Sequence, residues 1–172
     1  QTRLAGDPSP EVRWALAGNP DCSPEAARLL ARDDAAGVVC RLAGNPALTP
    51  GLVSVLCRSD RPGVRKAVAA RRDLTPHHLG ILMEGASDDL LYHIAVNQTG
   101  RRLPRGRAMA LSRHRLPTVR ALGAGSDTLP PEETARLSVD PAPAVRRALA
   151  GNPALEDRLR TFLVSDPSPE VA

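Results

Sequence analysis

Aromatic side chains are almost missing from this sequence: its 172 residues contain one tryptophan (Trp14), one tyrosine (Tyr92) and one phenylalanine (Phe162). Such side chains usually supply much of a core's buried area, so burial here must come from many small contacts among Leu, Ala and Val. No run of about 18 apolar residues occurs, which excludes a membrane-spanning helix. The opening QTRLAGDPSPEV has no apolar stretch of the kind a signal peptide needs. The three cysteines, Cys22, Cys40 and Cys57, are odd in number and lack paired spacing. This pattern points to free thiols in a reducing compartment, the cytoplasm. Lysine is nearly absent as well, 1 against 22 arginines, a bias that reflects genome composition more than function. No Ser/His/Asp set, phosphate loop or metal-spaced cysteine pair is present. We therefore expect no catalytic residues, no cofactor and no metal. The adjacent His77 and His78 would point about 100° apart on a helix and cannot easily share one metal ion.

Proline and glycine, by contrast, are plentiful, 17 and 13 residues. They recur at fixed places, which makes them punctuation rather than a sign of disorder. Taking the valine of VRxALAGNP as position zero, the column runs Val12, Val38, Val64, Leu90, Val119, Val145 and Val171, with gaps of 26, 26, 26, 29, 26 and 26 residues. A period of roughly 20–50 residues is the signature of a solenoid or similar array. Position five is alanine in every unit (Ala17, Ala43, Ala69, Ala95, Ala124, Ala150). Position eighteen is leucine (Leu30, Leu56, Leu82, Leu137, Leu163), with Leu111 joining once the insertion is allowed and Leu4 in an incomplete preceding unit.

Each unit reads as two short helices. The first opens with DPxP (Asp7 to Pro10, Asp140 to Pro143, Asp166 to Pro169), where Asp caps free amides and Pro needs no intrahelical donor. Positions zero, three and four (Val12, Ala15, Leu16; Val145, Ala148, Leu149) form an apolar stripe at helical spacing. Gly18, Gly44 and Gly151 stop the helix, glycine being suited to a left-handed cap. A second helix starts at Ser23-Pro24, Thr49-Pro50 or Thr75-Pro76. Helices of about ten residues form only by packing, and no strand is needed. The expected fold is all-α, a solenoid of about six two-helix repeats. One array covers 1–172, with units starting near 7, 33, 59, 85, 114 and 140. Because the chain begins with Gln1 and breaks off within a repeat at both ends, it reads as a segment of a longer protein.

The units DPSPEVRWALAGNPDCSPEAARLLAR and DPAPAVRRALAGNPALEDRLRTFLVS resemble those of the leucine-rich repeat variant family and, more loosely, HEAT repeats. The resemblance covers essentially the whole chain and is weaker between about Ala70 and Asp127. It implies α-helices alternating with 3₁₀-helices in a right-handed superhelix. Some members carry a cysteine-rich iron–sulphur module before the repeats, and nothing here matches one. The family has no shared catalytic motif to carry over.

The asparagine column, Asn19, Asn45, Asn97 and Asn152, reads as structural, each amide tying up loop backbone that neighbouring layers bury; it breaks at Arg71 and Ser126. Positions one and two lie off the apolar stripe and should be exposed. There Arg13, Trp14, Arg65, Lys66, Tyr92, Arg120, Arg146 and Arg147 would line up as a strip of the residue types favoured at binding hot spots. Residues 58–120 hold 13 Lys/Arg against 5 Asp/Glu, whereas the rest hold 10 against 14. This basic centre coincides with the one irregular repeat, where Arg101, Arg102, Arg105 and Arg107 form a secondary patch. The leading expectation is a non-catalytic scaffold binding another protein, an acidic one suiting the patch. The rivals are nucleic-acid or phosphate binding through those arginines, and the recognition segment of a larger multidomain enzyme. No membrane association is expected.

Overall fold

A computed structural model describes residues 1–98 and 102–172. Among the described residues there are thirteen α-helices and no strand. The chain divides into two compact units, 1–90 and 91–172. The first contains α1 (Thr2–Ala5), α2 (Pro10–Ala17), α3 (Pro24–Leu30), α4 (Ala36–Ala43), α5 (Pro50–Cys57), α6 (Pro62–Ala69) and α7 (Pro76–Met83). Helix α8 (Asp88–Asn97) spans the boundary. The second unit contains α9 (Arg105–Ser112), α10 (Pro117–Ala124), α11 (Pro131–Ser138), α12 (Pro143–Ala150) and α13 (Asp157–Val164). Both helices of each repeat are α; the 3₁₀ alternation implied by the family resemblance does not occur among the described residues.

Within each unit, first helices pack on first helices and second on second: α2 on α4 on α6 and α5 on α7 in one, α10 on α12 and α11 on α13 in the other. Local signals start the helices where the sequence places them. Ser9, Ser23 and Thr49 accept the amides of Val12, Ala26 and Leu52, each followed by proline in the first turn. Thr75 and His78 form a reciprocal box, Thr75 Oγ1 accepting the His78 amide and His78 Nδ1 accepting the Thr75 amide. The DPxP aspartate stands two residues before the N-cap rather than at it, Asp7 before Ser9 and Asp140 before Ala142. Its Oδ1 accepts the amide two residues on, as Asp7 does from Ser9, and so fixes the turn that leads into the helix.

The interior follows the 26-residue register. Leu30, Leu56, Leu82, Leu111, Leu137 and Leu163 are all buried, each contributing about 2 kcal/mol of apolar transfer. Position five is buried from Ala17 through Ala124. The first-helix stripe differs from expectation in one column. Position four is buried (Leu16, Leu42, Val68, Ile94, Leu149), but position three is not: Ala15 and Arg41 are exposed. The helix is rotated so that zero, four and five face the interior.

Unit two shows one departure from this register. There position four is Gly123, and a Cβ on it would lie 2.5 Å from the Ser112 amide nitrogen and 2.8 Å from the Ala108 carbonyl oxygen. The backbone of α9 thus occupies the space a side chain fills elsewhere, and Leu122 at position three is buried instead.

The glycine caps also differ. Gly18, Gly44 and Gly151 have φ of −89°, −84° and −78°, and only Gly85 has a positive φ among the described residues. A left-handed cap serves to satisfy terminal carbonyls. Here the next layer does so for Ala17 and Ala43, through Asn45 and Arg71, while Arg160 of the same repeat reaches Ala150 O.

Candidate functional site

The terminal carbonyls are met by the asparagine column. Asn45 Nδ2 donates to the carbonyls of Ala17 and Asn19, both at 2.8 Å, while its Oδ1 accepts the Ala47 amide. Asn152 repeats this one unit apart in sequence from Ser126: Nδ2 donates to Ala124 O at 3.0 Å and Ser126 O at 2.8 Å, and Oδ1 accepts the Ala154 amide. Both side chains are buried. Arg71 breaks the column in sequence but not in function. Its Nη1 donates to Ala43 O and Asn45 O, and its remaining nitrogens pair with Asp73. What the column requires is a buried donor between two carbonyls.

A second ladder uses position one. Arg13 Nε and Nη2 grip both oxygens of Asp33 at 2.6 and 3.1 Å, and Nη1 donates to Asp7 O. Arg120 does the same to Asp140 at 2.8 and 2.9 Å, with Nη1 on His114 O. Arg146 grips Asp166 at 2.7 and 2.9 Å, with Nη1 on Asp140 O. Each arginine therefore fastens its own helix to the aspartate that opens the next repeat, a bidentate geometry only Arg provides. The hydrogen bond from Arg13 holds the Asp33 carboxyl below the usual carboxylate range. Arg146 holds Asp166 likewise. Burial would raise Asp140, but the bonds from Arg120 and the Ala142 amide outweigh it and leave it lowered.

Arg13, Arg120 and Arg146 are therefore not exposed contact residues. They are mostly shielded and their donors are spent between layers. Arg65 is a variant of the same device: with Gly85 at the aspartate position, Nη2 donates to the carbonyls of Leu82 and Glu84. Its Nε is buried without a hydrogen-bond partner. Sequence reasoning missed the aspartate partners, although the signal was there. Arg13, Arg120 and Arg146 are each followed by Asp 20 residues on, whereas apolar Val39 is followed by Ser59.

Position two fares better. Trp14, Tyr92 and Arg147 are exposed. The Arg41 guanidinium stacks over the Trp14 ring at 4.7 Å from its centroid, a cation–π contact. Tyr92 meets His93 edge to face. Lys66 forms an ion pair with Asp89. In the secondary patch, Arg102 lies 3.3 Å from Asp127 and both Arg102 and Arg105 are exposed, whereas Arg107 is half-buried. Arg101 lies outside the described residues. The position-two residues fall in both units, Trp14 and Lys66 in one and Tyr92 and Arg147 in the other.

Next to Arg113, Glu133 is fully buried. It accepts from Ser112 Oγ at 2.6 Å, Arg136 Nη2 at 2.6 Å and Arg113 Nη2 at 3.0 Å. Burial pushes its carboxyl up, but these donors overcome that and hold it at about 2. The cluster is a structural brace, with every oxygen satisfied.

One exposed feature was not anticipated. Position seventeen, immediately before the anchor leucine, is bulky, apolar and exposed in three of the six repeats: Leu29, Val55 and Phe162 are 52%, 60% and 54% exposed, whereas Ile81 is buried and Ala110 and Arg136 stand in the other two. Neighbouring helix positions point about 100° apart, and the doublets Leu29-Leu30, Val55-Leu56 and Phe162-Leu163 place one side chain inside and one outside, whereas both members of Ile81-Leu82 are buried. Beside this column lie two grooves, one in each unit. The first, about 330 Å³, runs between α3 and α5 past Val55 and Leu52. The second, about 640 Å³, runs between α11 and α13 past Val139 and Phe162.

No protein-family model, curated protein or solved structure matches this chain. Its own geometry is thus the guide to its role. Among the described residues no group of three or more His, Cys, Asp or Glu side chains is placed to hold a metal ion.

Proposed function

We propose that this chain is a non-catalytic protein-binding scaffold, of the leucine-rich repeat variant type its motifs suggest, and that its binding face is formed by the second helices. The observation that supports this is the exposed position-seventeen column. Scattered apolar side chains on a surface are ordinary, but bulky ones at the same position of three repeats, Leu29 and Val55 in one unit and Phe162 in the other, each beside a groove, are the kind of apolar surface that marks a partner site. Within the first unit, stacking sets Leu29 and Val55 on successive second helices.

Phosphate binding by the central arginines is the weaker reading. Arg65, Lys66, Arg71, Arg113 and Arg120 have partners within the protein, and in the patch itself Arg102 already pairs with Asp127, which leaves exposed Arg105 as the side chain that reading would rest on. The absence of any described helix long and apolar enough to cross a membrane and the three free thiols fit a cytoplasmic scaffold.

The test is affinity capture with the wild type, a Leu29→Ser/Val55→Ser/Phe162→Ser variant and a Trp14→Ala/Tyr92→Ala variant. A partner recovered by the wild type and lost from the first variant is expected. Equal recovery by the first variant would reject the second-helix face, and loss only from the second variant would return the site to position two. Duplex DNA binding that falls steeply between low and moderate salt would favour the phosphate reading instead.

A further inference from the structure

We infer that the grooves between successive second helices take an acidic peptide segment bearing a bulky apolar side chain, an inference that rests on the protein-binding reading above. The two grooves lie in different units, yet they combine the same elements. In the α3–α5 groove, Val55 and Leu52 form an apolar wall facing Arg28 and Arg32. Arg32 is exposed, and its guanidinium has no partner among the described residues. Arg28 reaches only Glu25, one turn earlier on its own helix, at 3.6 Å with both side chains two-thirds exposed, a pairing that competes weakly with a ligand. No carboxylate lines this groove.

In the α11–α13 groove the apolar wall is Val139 and Phe162. Asp140 and Asp166 also line it, but each is gripped bidentately by an arginine and accepts a backbone amide as well. Their charge is spent inside the fold. Arg158 is exposed, without a side-chain partner among the described residues, and lines the same groove. It is the one lining charge left for a ligand.

Both grooves therefore offer an apolar wall, an available guanidinium and no available carboxylate. A guanidinium fork matches a carboxylate, and the apolar wall matches an aliphatic or aromatic side chain next to it. The volumes, about 330 and 640 Å³, suit one or two side chains of an extended or helical segment rather than a whole domain. A basic segment would place like charge against the free arginines and leave nothing to receive it.

The experiment is selection of a random peptide library on the folded wild-type chain, followed by fluorescence anisotropy of the enriched peptides. Wild type is compared with Val55→Ser, Arg32→Glu, Phe162→Ser and Arg158→Glu, all at exposed positions, with circular dichroism confirming helix content. Enriched peptides should combine Asp or Glu with Leu, Ile, Val, Phe or Met. Either Val55→Ser and Arg32→Glu, or Phe162→Ser and Arg158→Glu, should weaken binding at least about tenfold, equivalent to about 1.4 kcal/mol. Repeating the selection on the matching charge-reversed variant should enrich Lys or Arg instead. No enrichment, a consensus without acidic residues, or affinities unchanged in all four variants would each overturn the inference. Peptides that bind the wild type but ignore all four substitutions would remove the grooves while leaving the scaffold reading intact. That reading fails separately, when capture with the wild type recovers no protein.

Discussion

Replacing Asn152 with alanine should cost about 3 kcal/mol. Its amide makes two donor bonds, to the carbonyls of Ala124 and Ser126, and accepts one from the Ala154 amide. Each is worth about 1 kcal/mol net, and more where the abandoned partner is left buried without water. Ala124 is the last residue of α10, so its carbonyl has no donor within the helix. Asn152→Asp keeps the shape but sets a carboxylate against two carbonyl oxygens, so it should destabilise more than alanine at neutral pH and recover partly in acid. Arg71 supplies the converse experiment, because it makes the same two carbonyl bonds while anchored by Asp73 two residues on. Asn152→Arg combined with Ala154→Asp should therefore regain at least half of what alanine loses. Urea unfolding followed by helical circular dichroism reads all four proteins. A loss below about 0.5 kcal/mol for Asn152→Ala, or an aspartate variant as stable as wild type, would refute the reasoning.

Further outcomes follow from other sites. Glu133 has its carboxyl held at about 2, below its ordinary value of 4.5, so its contribution is complete above about pH 4.5 and is lost as pH falls toward about 2. Unfolding free energy measured across that window should fall more steeply in wild type than in Glu133→Gln. Restoring the repeat pattern with Gly123→Leu should destabilise by about 2 kcal/mol or more, because the new side chain meets the α9 backbone; a melting temperature equal to wild type would contradict the close packing. With a thiol reagent, half-buried Cys40 should react first. Cys57, fully buried and with its thiol pushed up to about 11 by that burial, should react only on unfolding; fast labelling of Cys57 would count against the packing of α5.

The 26-residue register was legible because helical repeats bury the same positions in every layer, and all six anchor leucines from Leu30 to Leu163 are interior. Asn45 and Asn152 were legible for the same reason, whereas Asn97 is exposed and donates to His93 O within its own helix. Periodicity identifies equivalent residues, but it does not say which group of the next layer faces them. Position one was thus read as exposed from its place off the stripe, although Arg13, Arg120 and Arg146 reach across to the following aspartate. The stripe itself was misplaced by one column, since zero, three, four and five all lie within about one turn and composition does not choose among them. Gly18, Gly44 and Gly151 looked like left-handed caps because glycine usually serves there, and the donors that made such caps unnecessary at Gly18 and Gly44, Asn45 and Arg71, sit a repeat away. The doublets Leu29-Leu30, Val55-Leu56 and Phe162-Leu163 held a clue to the exposed side chains, but Ile81-Leu82, buried at both positions, shows that helical geometry alone does not decide it.

The most direct measurement of the inter-layer account is a double-mutant cycle on Arg120 and Asp140, using Arg120→Met, Asp140→Asn and the pair. Asparagine at 140 can still accept the Ala142 amide, so the turn survives and the cycle isolates the charged clamp. The two residues are 20 positions apart and their side chains are largely shielded. A coupling of about 2 kcal/mol is predicted. Additive losses, with coupling below about 0.3 kcal/mol, would contradict the claim that successive repeats are fastened through this pair.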